Sequence, residues 1–190
     1  MERIYIEDKV YDKVDFTIKS LSVAEYEGCS FINCDFSNTD FSNIFFSECE
    51  FTDCNISMVK LAETAFKEVA FKDCKLLGLH FNNCSKFLLS VGFENCFLKL
   101  SSFYKLKLKK TKFKNCNLNE VDFTETDLSN AIFENSDFTN AIFQNSILEK
   151  ADFSTSFNYS IDPELNKIKK AKFSRQEVAG LLNKYDIIIS

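Results

Sequence analysis

Eight cysteines, one histidine and twenty-eight carboxylates are the residues of this chain with the means to do chemistry. Thiols with imidazole suggest zinc binding or a cysteine nucleophile, and paired acids suggest general acid–base work. The spacing supports neither. Cys29 and Cys34, like Cys49 and Cys54, stand five apart, not at the two-residue gap of a zinc-binding pair. Cys29, Cys34, Cys49, Cys54, Cys74, Cys96 and Cys116 each lie two residues before a large apolar residue. They share that slot with Ala24, Val59, Thr64, Val69, Ala131, Ser136, Ala141 and Ala151. A position that accepts Cys, Ala, Val, Thr or Ser selects for small volume, so the thiols read as reduced core residues. Cys84 would fill the same slot but for a break in register after it. His80 directly precedes Phe81 and has no visible group to orient it as a base. No Gly-rich phosphate loop, nucleophile elbow or HExxH helix occurs. The expectation is a non-catalytic chain without cofactor or metal.

The large residues that follow the small slots set the architecture. From Phe16 to Phe81 every fifth residue is Phe, Leu, Ile or Tyr, and from Phe93 to Phe153 every fifth is Phe or Leu. A period of five fits neither a helix nor a strand. It fits a chain that turns a corner after each short extended side. The large residue and the small one two before it point to one side of that stretch, which must be inward. The other positions are mostly polar, and Asp35, Asp40, Asp122, Asp127, Asp137 and Asp152 each precede a large residue. Their default role is local hydrogen bonding at turns. With four Gly and one Pro in the chain, the corners are expected to rely on packing and on Asn, Asp and Ser, not on glycine at positive φ.

Units such as Cys34-Asp35-Phe36-Ser37-Asn38, Thr126-Asp127-Leu128-Ser129-Asn130 and Ala151-Asp152-Phe153-Ser154-Thr155 resemble the pentapeptide repeat family. The resemblance covers residues 14 to 155 and implies an all-β solenoid, a right-handed quadrilateral β-helix with four sides to each coil of twenty residues. Stacked coils at roughly 4.8 Å would give a rod on the order of 35 Å long over about seven coils. Phe31, Phe36, Phe41, Phe51, Phe71, Phe123, Phe133 and Phe153 are the expected core. Residues 1–13 read as an N-terminal cap, a short strand or irregular cover. The register slip at 82–92 predicts a small corner bulge near Ser85 to Phe87, with Leu88 as the next inward residue. Residues 156–190 read as a decorated last coil, with a helical turn after Asp162-Pro163, followed by a C-terminal α-helix and a dimerisation segment. Ser174 and Glu177 have capping-box spacing, and Val178, Leu181, Leu182 and Tyr185 then lie on one helical face. With Ile187, Ile188 and Ile189 they are expected to cover the open solenoid end, favouring a tail-to-tail homodimer.

The outward positions carry whatever function the chain has. Net charge is −5, but it is segregated. The stretch 82–118 holds Lys99, Lys105, Lys107, Lys109, Lys110, Lys112 and Lys114, while 119–155 holds Glu120, Asp122, Glu125, Asp127, Glu134 and Asp137. Two functional readings follow. The first is a rod-shaped protein-interaction scaffold with an unnamed partner. The second comes from a more distant resemblance to Qnr-type quinolone-resistance proteins. It implies a DNA mimic whose acidic tail-proximal coils meet DNA gyrase, although the long projecting loops of those proteins have no counterpart here. Direct nucleic-acid binding by the Lys belt, with Phe97 and Tyr104 as stacking residues, is the weakest reading, because the protein is acidic overall and the belt has no Arg. No signal peptide or membrane-spanning run is visible, so a soluble cytoplasmic protein is expected.

Overall fold

The structure, a computed structural model, describes residues 4–188. The chain winds as a parallel β-solenoid of about eight turns. Nine short strands form one sheet, from Val10–Asp12 at one end to Lys172–Phe173 at the other, all parallel to their neighbours. Four more, Tyr5–Glu7, Glu25–Glu27, Phe45–Ser47 and Ala65–Lys67, form a second sheet. The remaining sides are joined by single bridges, such as Asp15 to Asp35 to Asn55 and Ser102 to Asp122 to Ile142. Partners outside the slip lie twenty residues apart, as Phe31 with Phe51 and Phe113 with Phe133. The tube therefore has four faces. We number them by inward residues: face I carries Phe36 and Leu118, face II Phe41 and Phe123, face III Tyr26 and Leu128, and face IV Phe31 and Phe133. The segment before residue 14 supplies the first strand of each sheet.

The interior is built from stacked rings. On face IV, Tyr11, Phe31, Phe51, Phe71, Phe93, Phe113, Phe133, Phe153 and Phe173 form a continuous column with centroid separations from 4.6 to 5.5 Å. Columns on the other faces meet it edge to face, as Phe36 meets Phe31 from the adjoining face and Phe103 meets Phe113 from the opposite one. Both arrangements suit the charge distribution of an aromatic ring. Phe31, Phe36, Phe41, Phe51, Phe71, Phe123, Phe133 and Phe153 are all fully buried in this stack.

The corners use positive φ after all, but on ordinary residues. The residue two after most inward ones adopts the left-handed region: Asn38, Asn43, Met58, Glu63, Lys105, Glu120 and Glu125 among them. Gly28 and Gly78 are the glycines that do so. The left-handed penalty for a side chain is on the order of 1 kcal/mol. It is offset because the turned N–H is aimed at the next coil, as Asn38 N donates to Ser57 O at 2.9 Å and Lys105 N to Thr124 O at 3.1 Å. Many corners also close a turn, such as Thr39 N to Phe36 O at 3.0 Å, with positive φ at the third residue in the manner of type II.

Two details differ from the sequence expectation. At the slip, face IV steps by 22, pairing Phe71 with Phe93. Ser85 donates to Thr64 O and Ser90 to Phe66 O, so the extra residues lie between them. Leu88 is not the next inward residue. It sits at a left-handed corner beside the exposed Phe87, and Leu89 packs against the core instead. Among the described residues of the tail there is no α-helix: Val178–Leu181 and Asn183–Tyr185 are 3-10 turns. Half of the capping box forms, with Glu177 N donating to Ser174 Oγ at 3.1 Å. The Glu177 carboxylate accepts from Asn158 N on the preceding coil instead of from the cap backbone, tying the segment to the rod. Gly180 is required here: a Cβ would come within 2.0 Å of Tyr159 O, and its carbonyl accepts from Ile161 N.

Replacing a mid-column ring by Phe51→Ala should cost about 3–5 kcal/mol, seen as a lowered urea midpoint. Phe51→Leu should cost clearly less, because volume is largely kept.

Candidate partner-binding surface

No thiol is presented to a ligand. All eight cysteines are buried and free. Seven donate to backbone oxygens: Cys34 Sγ to Tyr11 O, Cys54 to Phe31 O, Cys74 to Phe51 O, Cys96 to Phe71 O and Cys116 to Phe93 O, at 3.3 to 3.7 Å, with Cys29 bonded to Ile6 O and Cys49 to Tyr26 O. Ser136 and Ser156 continue the face-IV series to Phe113 O and Phe133 O. The small slot thus holds a short donor that clasps one coil to the inward residue of the coil before it. Sequence reasoning recognised the slot's size and missed this bond, although the interchange of Cys with Ser and Thr was its visible sign. Burial first, and for Cys96 also the neighbouring Cys116, pushes the thiols of Cys49, Cys96 and Cys116 up to about 12. Among the described residues no group of His, Cys, Asp and Glu is placed to hold a metal ion, and His80 lies exposed on face II. No helix of the described residues is long and apolar enough to cross a membrane.

The acids from Glu120 to Asp137 do not gather on one face. They encircle a single coil: Glu120 at the corner between faces I and II, Asp122 on face II, Glu125 at the next corner, Asp127 on face III, Glu134 on face IV and Asp137 on face I. The coil beneath carries the lysine belt, and the two rings meet. Lys99 pairs with Glu120 at 3.1 Å, Lys105 with Glu125 at 3.5 Å and Lys109 with Asp127 at 3.2 Å. The aspartates are engaged at home as well. Asp122, Asp127 and Asp137 each accept the N–H two residues on, from Thr124, Ser129 and Thr139. Asp137 also accepts from Asn158 Nδ2 at 2.9 Å. Partial burial raises the carboxyls of Asp127 and Asp137, but these hydrogen bonds outweigh it and hold both below the ordinary range.

Two other outward features are distinctive. On face I, Phe97, Leu77, Leu100 and Met58 are all at least 40% exposed. Met58 Sδ lies over Gly78, where a Cβ would stand 2.5 Å from it. On face IV, the outward row shrinks to a methyl group at Ala70 and to a hydrogen at Gly92, which pair in neighbouring strands. A groove of about 490 Å³ opens there, walled by Lys72, Glu94, Lys114 and Glu134 on one side. A second hollow shares Ala70 and Gly92 and is edged by Glu68, Lys109, Lys110 and Lys112.

At the tail end, Leu181 packs partly against the core. Val178, Leu182, Tyr185, Ile187 and Ile188 remain exposed, and Ile189 lies outside the described residues. Lys184 holds the tail to the last coil through Asp162 at 2.8 Å and Glu164 at 2.5 Å, while Tyr185 OH donates to Glu164 at 3.0 Å.

Residues 24–87 and 86–158 match the pentapeptide repeat region family, and the chain belongs to it. No curated protein sequence matches. Among solved structures it is similar to a trypsin-treated variant of QnrB1, a plasmid-mediated fluoroquinolone resistance protein, at 19% identity and a TM-score of 0.63, covering 100% of this chain and 95% of that one. Full-length QnrB1 gives 18% identity and a TM-score of 0.52, covering 97% and 98%. HetL from Nostoc sp. strain PCC 7120, a pentapeptide repeat protein involved in heterocyst differentiation regulation, gives 13% and a TM-score of 0.36, covering 90% and 87%. At these identities the likeness to QnrB1 is one of fold.

Two outcomes test this description. Native protein at pH 8 should resist thiol-specific reagents, whereas all eight cysteines should react once guanidinium unfolds it. Cys54→Ala should lose about 1 kcal/mol with the clasp, and Cys54→Ser, which keeps a donor, should lose less. The depressed aspartates give a second test. Their contribution is fully present above the unfolded value of about 4 and is lost as pH falls through the lower folded values. The urea midpoint should therefore hold between pH 5 and 7 and fall below about pH 4, and Asp137→Asn should flatten that fall.

Proposed function

We propose that the protein is a non-catalytic scaffold that presents a rigid, four-sided surface to a protein partner. The supporting observation is the division of labour across the wall of the tube. Thiols and rings turn inward and are consumed by packing and coil-to-coil bonds, while the outer rows vary freely along each face. The apolar cluster of Val178, Leu182, Tyr185, Ile187 and Ile188 supports a second copy meeting the tail, with Ile189 alongside in the sequence. Leu181 then serves to seat the tail on its own rod.

The second reading is a DNA-mimicking binder of DNA gyrase that modulates the enzyme or protects it from quinolones. It is supported by the similarity in fold to a fluoroquinolone resistance protein over almost the whole of both chains. The paired rings of acid and lysine weigh against it, since a partner's cations would have to displace Lys99, Lys105 and Lys109 from Glu120, Glu125 and Asp127. The scaffold reading is therefore placed first.

Light scattering after size exclusion should give a dimer at micromolar concentration for the full chain and a monomer after removal of residues 174–190; a full-length monomer would exclude the tail-to-tail pairing. Affinity capture with the intact protein should recover a defined partner under native conditions and none with unfolded protein. Gyrase subunits tested in a concentration series separate the two readings: saturable binding with altered quinolone sensitivity selects the second.

A further inference from the structure

We propose that the face-IV groove over Ala70 and Gly92 is the partner-binding site of this scaffold, and that it takes an acidic, extended segment of another protein. The inference rests on the scaffold reading and names its surface and its ligand chemistry.

Gly92 carries the argument. It lies inside the strand Val91–Glu94, not at a corner, and its φ is not in the left-handed region. A Cβ placed there meets no atom within 4 Å. Neither turn geometry nor internal packing asks for glycine, and glycine weakens a strand by leaving its backbone more freedom. Glycine in such a place marks close approach by a ligand or by another backbone. Its neighbour in the preceding coil, Ala70, is the next smallest choice. The flanking outward residues of the same row, Glu50 and Lys112, are large. The dent is therefore two coils long, roughly 10 Å along the rod.

The rim sets the charge of the occupant. Lys110 and Lys112 are exposed beside the dent and form no ion pair among the described residues. Lys72 and Lys114 stand on the opposite wall in solvent-accessible pairs with Glu50 and Glu94 at 2.6 and 2.7 Å. Exposed pairs of this kind exchange partners at small cost. A carboxylate lowered onto Gly92 would meet two unpaired ammonium groups first and two exchangeable ones next. Glu68, Glu94 and Glu134 interrupt the lysines. That pattern disfavours the evenly charged backbone of a nucleic acid, which needs an unbroken cationic track, and it suits a peptide that carries a few acids among neutral residues.

A library of random twelve-residue peptides displayed on phage, selected on the full chain, tests the proposal. Recovered sequences should be enriched in Asp and Glu. Peptides synthesised from them should bind wild type at least about tenfold more tightly than Gly92→Glu or the double variant Lys110→Glu/Lys112→Glu. Gly92→Glu fills open space, and its fold is checked by an unchanged urea midpoint and circular dichroism. Lys13→Glu/Lys19→Glu, an equal charge change at the far end, should leave binding unchanged. Acid-poor selected sequences, equal binding to all variants, equal loss in the far-end control, or tighter binding of a twelve-nucleotide DNA would each overturn the groove assignment. If the captured protein partner binds wild type and Gly92→Glu alike, the groove is excluded while the scaffold survives; if no partner is captured at all, the scaffold reading itself fails.

Discussion

The hydrogen bond from one coil to the next is the constraint from which the rest of this molecule follows. Each side is too short to satisfy its own backbone, so apart from the amides that close corners the N–H groups find their acceptors about twenty residues away. That requirement fixes the coil length, stacks the inward rings at the coil repeat and makes each corner turn its N–H along the rod axis. It also explains how so many ordinary side chains tolerate positive φ. A left-handed corner is a modest local cost set against a bond that would otherwise be lost.

The same constraint limits where function can reside. Inward positions are committed twice over, to ring stacking and to the clasps made by Cys, Ser and Thr. The backbone is committed to its neighbours. What is left is the pattern of side chains on the outer rows, read in steps of one coil. Charges twenty apart in sequence become vertical neighbours, and so the lysine belt and the acidic coil neutralise each other instead of projecting two separate fields. A chain of this design recognises a partner through local relief and the few charges left unpaired.

The core was almost wholly legible in the sequence, because an inward period of five has one simple geometric solution. The charged surface was legible only as composition. Glu120, Asp122, Glu125, Asp127, Glu134 and Asp137 read as an acidic stretch along the chain, yet winding distributes them around all four faces. The tail differs in kind from its sequence pattern. Helical spacing from Val178 to Tyr185 is real, but docking of Gly180 against Tyr159 and the pull of Asp162 and Glu164 on Lys184 hold the segment in 3-10 turns.

By itself the sequence determined the square tube, its ring-filled interior and the burial of its thiols, since these depend on periodicity and side-chain volume, which are local properties repeated many times. Only the tertiary structure decided which outward residues are neighbours. That depends on the coil length, including the two extra residues at the slip that set Ala70 beside Gly92 and Lys72 beside Glu94. A one-residue difference there would move every later row to a different neighbour, so surface chemistry is a property of the winding and not of the repeat.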